Sequence, residues 1–287
     1  MTITTDATLD RAQFGRDWED WHREHETRRA DPLGFFAITG LHFLDAAPVT
    51  LPDAPGSWSL GDEGAVVELA DGESLEVDGA TITGRHAFGT IAERGGLTLR
   101  FTDGDVTGAI ELAQRGGHTI VRPRRADHPF LADYAGTPTY VPNPRWRVAA
   151  RFRPFASPRP TEVGAAVDGL THVYDAPGEL EFEWRGESFT LTAFPGKSAG
   201  ALLVLFTDAT SGLTTYAANR SVSVDAPDAN GWTIIDFNRA VNLPCAYTDF
   251  ATCPLPPAGN RLPIGIEAGE KTPLARVHAE QALVVPA

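Results

Sequence analysis

A chain of 287 residues with 42% hydrophobic and 22% charged side chains has the composition of a globular protein with a sizeable core. Its formal charge of −14 excludes nucleic acid as a general partner, because phosphate binding needs a concentrated basic face. No apolar run approaches the length of a membrane span, and the first residues, MTITTDATLDRAQF, have neither the basic nor the apolar region of a secretory leader. A cytoplasmic protein is the default expectation.

Residues 10–30 predict the one long helix. Phe14, Trp18, Trp21 and His25 recur at spacings of four, three and four, an apolar stripe on one face. Asp10 is placed to cap its start, and Pro32 stops it, since the residue before a proline avoids helical dihedrals. His25, at the end of the stripe, reads as a satisfied, partly buried histidine. The apolar stretch 31–45, broken by Gly34 and Gly40, reads as a buried lead-in to a short strand.

From about 57 to 121 every signal is β. Short runs such as AVVELA, SLEVDG and LTLRFTD are separated by turn pairs such as Asp71-Gly72, Asp78-Gly79 and Asp103-Gly104. This spacing indicates a small sandwich or barrel. Residues 122–156 read as an irregular connector that enters a long strand through Trp146, Val148, Ala150 and Phe152. Arg122, Arg124 and Arg125 in it are expected to be strand arginines paired with carboxylates rather than an anion site.

The β pattern returns from 160 to 235. ALLVLF at 201–206 lacks alternation and reads as a central strand, with TTYAANR pairing back onto it and bringing Asp208, Tyr216 and Arg220 to the sheet end. The last segment, after Lys271, is expected to be a closing strand or short helix. The fold class is therefore mainly β: an N-terminal α-helix, then two antiparallel β units of sandwich or barrel type, with a long ordered C-terminal loop system. The division is 1–45 for helix and lead-in, 46–121 for the first unit and 122–287 for the second.

That loop system, Asp236 to Lys271, is the candidate site. A long ordered loop on a rigid scaffold is where function tends to sit. Asp236, Glu267, Glu270 and Lys271 are its candidates for acid–base chemistry, with a structural role equally open for each. Asp208, Tyr216, Arg220, Asn238, Asn242 and Arg261 are candidate ligand contacts, although Asn238, Asn242 and Asn260 read first as partners for loop amides. Lys271 stands out because the chain has only one other lysine, Lys197, against 22 arginines. A lysine kept there suggests that an ammonium, held by Glu267 and Glu270, is wanted. Cys245 and Cys253 do not match a zinc spacing and read as small packed hydrophobes. No metal ligand set and no cofactor fingerprint is present.

PCAYTDFATCPLPPAGNRLPIGIEAGEK, preceded by DFNRAVN, resembles the C-terminal signature of a bacterial and archaeal family known as domain of unknown function 1684. FTDATSGLTTYAANR at 206–220, VPNPRWRVAARFRPF at 141–155 and DPLGFFAITGLHFLD at 31–45 support the resemblance, which implies a shared fold and site region and no particular activity. Ser221 departs from the pattern, where the family tends to place a large apolar residue. Residue chemistry alone leaves three functions open. They are a hydrolase or lyase acting on a small polar molecule, a non-catalytic module binding a small anion, and an interaction module using the first β unit. Two or more pKa-shifted carboxylates in one pocket favour the first, and a pocket dominated by arginine and lysine favours the second.

Overall fold

The helical stripe folds as its spacing predicts. In the computed structural model, which describes residues 10–280, 283 and 285, helix α1 runs Arg11–Arg29, and the Asp10 carboxylate accepts the Ala12 N–H. Phe14 and Trp18 are buried, Trp21 and His25 half-buried. At the far end the Ala30 N–H closes on Glu26 O, two residues before Pro32. No helix of the described residues is long and apolar enough to cross a membrane.

Ten strands follow: β1 (His42–Phe43), β2 (Val49–Thr50), β3 (Ser57–Gly61), β4 (Gly64–Glu68), β5 (Leu75–Val77), β6 (Ala80–Ile82), β7 (Arg85–Ala87), β8 (Gly96–Asp103), β9 (Val106–Arg115) and β10 (His118–Arg125). They form two antiparallel sheets, β1-β10-β9-β8-β5-β6 and β2-β3-β4-β7. Trp58, Val67, Leu75, Leu99, Ile110 and Val121 fill the space enclosed by them. The turn between β5 and β6 illustrates the sequence logic: Asp78 and Gly79 both have positive φ, 49° and 80°, the geometry that tight hairpins demand. The arginines behave as surplus-carboxylate partners: Arg122 and Arg124 pair with Glu111, and Arg125 with Asp103 and Asp127.

A short helix α2 (Pro129–Asp133) interrupts the connector that the sequence presents as irregular. Six strands then make the second unit: β11 (Arg147–Gly164), β12 (Thr171–Trp184), β13 (Glu187–Pro195), β14 (Leu202–Phe206), β15 (Arg220–Val224) and β16 (Trp232–Asp236). Their order is β15-β14-β13-β12-β11-β16, one antiparallel sheet curled into a half-barrel. Its inner face holds Leu180, Leu191, Val204, Phe206, Val222 and Ile235. With 43% strand against 14% helix the protein is mainly β. β14 is an interior strand, as its unbroken apolar run requires.

One strand starts later than the sequence suggests. TTYAANR is not a strand, because the Thr210 carbonyl gathers the N–H groups of Leu213, Thr214 and Thr215 into a turn, with Gly212 at φ 81°. Pairing with β14 begins only at Arg220. The segment after Lys271 is also different: Val277 bridges Thr248, but residues 272–280 form neither helix nor strand. Residues 281, 282, 284, 286 and 287 of that segment lie outside the described residues.

The 236–271 stretch is an ordered loop system, as its prolines and amides imply. Arg220, 1% exposed, pairs with Asp208 at 2.7 Å and donates to the carbonyls of Ile266, Ala268 and Glu270. Asn260 accepts from Thr192 N and donates to the Thr192 and Leu205 carbonyls, tying the loop to β13 and β14. Gly269 (φ 73°) is required where it stands, since a Cβ there would come 2.4 Å from Ala240 O.

Candidate functional site

Alternation along β15 decides where the site lies. Val222 and Val224 point into the half-barrel core, so Ser221, Ser223 and Asp225 point outward. The outer face is crossed by α1, and between them runs a groove of about 1340 Å³. Its floor is apolar: Phe194, Leu203, Leu205, Leu243 and Pro244. Trp18, Trp21 and His25 of α1 line the opposite wall. Arg28, Arg94, Arg147, Lys197 and Arg239 bring five cations, against the four carboxylates of Asp10, Asp17, Asp225 and Asp236. In a chain with 38 acidic and 24 basic residues that balance is locally reversed.

Asp236 sits 3.6 Å from Arg147 and 3.8 Å from Arg239. Burial nevertheless pushes its carboxyl above the ordinary value, outweighing Asn238 and the two arginines. Arg239 in turn lies over the ring of Trp21, 5.4 Å from its centroid, and Trp21 stacks on His25 at 5.3 Å. These contacts make one continuous wall from Asp236 to His25.

Behind His25 lies a buried polar cluster that joins α1 to the loop system. Glu270, 1% exposed, receives Arg29 Nη2 at 2.7 Å and faces His25 Nε2 at 3.4 Å through one oxygen. Its other oxygen accepts the Asn242 N–H at 2.6 Å and the Tyr247 hydroxyl at 3.3 Å. Arg29 also donates to Thr137, whose hydroxyl meets that of Tyr247, and Tyr134 donates to Glu26. Burial acts to raise the Glu270 carboxyl, but His25, Arg29 and the Asn242 N–H hold it below the ordinary carboxylate value. Burial and the neighbouring Glu26 push the Tyr134 hydroxyl up to about 12. His25, Glu26 and Glu270 present donor atoms within 4.8 Å of one another. The Arg29 guanidinium already contacts all three, so a metal ion would have to displace it.

The structure separates the sequence-derived candidates into groups. Asp236 and Asn242 line the groove, and Glu270 stands directly behind its wall. Asn238 is buried among Asp236, the Asn143 backbone and the Trp18 indole, where it holds the loop and the helix together. Asp208 and Arg220 are a buried clamp on the loop backbone, away from the groove lining. Tyr216 donates to Cys245 O and accepts from Arg276. Glu267 and Arg261 are exposed. Lys271 is not held by Glu267 and Glu270: its ammonium lies over Tyr140, 4.6 Å from the ring centroid, because Glu270 is turned inward to Arg29. Cys245 and Cys253 are free, buried thiols in contact, Cys245 N reaching Cys253 Sγ at 3.3 Å.

His25, Arg29, Arg147 and Arg239, which line or back the groove, are not among the candidates that the sequence put forward. His25 shares its stripe with two tryptophans, which pointed to core packing. Nothing local marks Arg29, whose partner comes from the other end of the chain.

A family described as Protein of unknown function (DUF1684) matches residues 132–271 in its sequence profile. That segment of the chain is similar to this family. The matched segment contains the half-barrel, Asp236, Asn242 and Glu270, and it stops short of α1. His25 and Arg29 therefore lie outside it, as does the 31–45 segment on which the resemblance also drew. Ser221 lines the groove. The solution NMR structure of an uncharacterized protein of Haloarcula marismortui is 34% identical over 50% of this chain and 80% of that one, with a TM-score of 0.42. No curated protein matches the chain.

Proposed function

We propose that the protein binds an elongated amphipathic organic anion in the groove between α1 and the half-barrel. The observation that carries this reading is an apolar floor in a groove whose lining holds five cations against four carboxylates, within a strongly acidic chain. Small-molecule sites usually measure about 300–1,000 Å³ and combine apolar walls with a few placed polar groups. A groove of about 1340 Å³ suits a ligand with a tail along Phe194, Leu203 and Leu205 and a charged head toward Arg147 and Arg239. Calorimetric titration with a medium-chain carboxylate, dodecanoate, tests it. Binding that weakens at least tenfold in Arg147→Ala/Arg239→Ala supports the reading, and no binding by the folded parent overturns it.

A second reading is a hydrolase or lyase acting on the same bound anion. Asp236 favours it, because a carboxyl raised by burial inside a groove is suited to proton transfer. His25, whose Nε2 meets Arg29 Nη2 at 2.6 Å, stands on the same wall. The binding reading takes precedence because Asp236 stands between Arg147 and Arg239, and Glu270 is committed to Arg29. Asp236→Asn separates the two: turnover lost with binding retained points to the enzyme.

A further inference from the structure

Of the five cations that line the groove, three already have carboxylate partners: Arg28 pairs with Glu24, and Arg147 and Arg239 flank Asp236. Arg94 and Lys197 are exposed and have no ion-pair partner among the described residues. The carboxylate beside Arg94 in sequence, Glu93, is engaged by the N–H groups of Gly116 and Gly117. The Arg94 guanidinium lies instead over the ring of Tyr174, 4.3 Å from its centroid, and Tyr174 packs on Phe194 at 5.5 Å. A guanidinium laid on an aromatic face is held in place while its edge stays free to donate to an anion.

Phe194 is one end of the apolar floor. It stands opposite Leu203 in the pairing of β13 with β14, and Leu203 stands opposite Ser223 in the pairing of β14 with β15. Those two steps span about 10 Å at the usual spacing of strands. β15 is joined to β16 by the Thr233 hydroxyl, which donates to Asp225 O, and β16 ends at Asp236 beside Arg147 and Arg239. Cations therefore stand beyond both ends of the floor. A tail that leaves Arg147 and Arg239 and follows the floor past Leu203 to Phe194 arrives at Arg94.

We propose that the ligand is an α,ω-dicarboxylate, two carboxylates joined by an apolar chain, and that Arg94 takes the second of them. This rests on the anion-binding reading of the groove and adds the chemistry of the ligand's far end. A monocarboxylate brings only a methyl group to the exposed guanidinium and leaves it to water.

The test is calorimetric titration of the full chain with dodecanoate and with dodecanedioate, in the parent and in Arg94→Asn. Asparagine is chosen because the backbone there has φ 66°, a left-handed conformation that it tolerates well. Arg94→Gly, which suits the same conformation, serves if the first variant fails to fold. Dodecanedioate is expected to bind the parent about two- to fivefold more tightly than dodecanoate, the worth of one exposed ion pair. In the variant that preference disappears while dodecanoate affinity is unchanged. Dodecanoate binding the parent as tightly as dodecanedioate overturns the inference and leaves the groove reading standing. A preference that survives in the folded variant also overturns it, as does an equal loss of both acids there, which would put a single head group at Arg94. Failure of both acids to bind removes the groove reading, and the inference with it.

Discussion

Arg29 Nη2 stands 2.7 Å from Glu270 Oε1, with both side chains 2% exposed, and this pair ties the last turn of α1 to the end of the loop system. The groove exists because α1 is held over the outer face of the half-barrel, and the ion pair is the buried half of that attachment. Trp18 supplies another part by donating its indole N–H to Asn238 O at 2.8 Å.

Breaking the pair leaves a buried, uncompensated charge. Arg29→Ala or Glu270→Ala is expected to cost about 3–5 kcal/mol of unfolding free energy. Arg29→Met/Glu270→Met removes both charges and is expected to recover part of that loss. Chemical denaturation followed by tryptophan fluorescence reads both effects, and single variants within about 1 kcal/mol of the parent would show that the pair does not hold α1.

The same carboxylate sets an acid limit. Glu270 has its folded pKa depressed below the ordinary 4.5. Its contribution is therefore fully present above the unfolded value and is lost as pH falls through the depressed folded value. Thermal unfolding across that acid range is expected to show a steeper loss in the parent than in Glu270→Gln. Parallel acid limbs would contradict this.

How much of this was legible in the sequence depends on how local each signal is. The α1 stripe, the turn at Asp78-Gly79 and the unbroken run of β14 are written in neighbouring residues, and each folds as its periodicity dictates. Asp236 and Asn242, which line the groove, drew notice because they sit in the conspicuous loop. The Arg29–Glu270 pair was hidden because its two halves come from opposite ends of the described chain. Lys271 was misplaced for the same reason: once Glu270 turns inward to Arg29, the ammonium is left to the face of Tyr140.

Lys271→Arg accordingly tests a reading from composition against one from geometry. A guanidinium also lies well over an aromatic face, so the substitution is expected to change stability by less than about 1 kcal/mol. Dodecanoate affinity should be unaltered. A large loss of affinity in a folded Lys271→Arg would restore the lysine to the site.

Cys245 and Cys253 are expected to act through packing. Their contact raises the Cys245 thiol, chiefly through the Cys253 side chain and then through burial, and keeps it protonated. Replacing both by alanine should lower stability by about 1–3 kcal/mol and leave ligand affinity intact. Stoichiometric zinc in the purified protein, absent from the double variant, would contradict that assignment.

The groove is the central claim, and NMR mapping of a dodecanoate titration on the isotope-labelled protein tests it most directly. The account predicts saturable shifts concentrated at Trp21 and His25 on α1, Ser221 and Ser223 on β15, and Asn242 in the loop. Shifts confined to the first β unit, or none at saturating ligand, would contradict it.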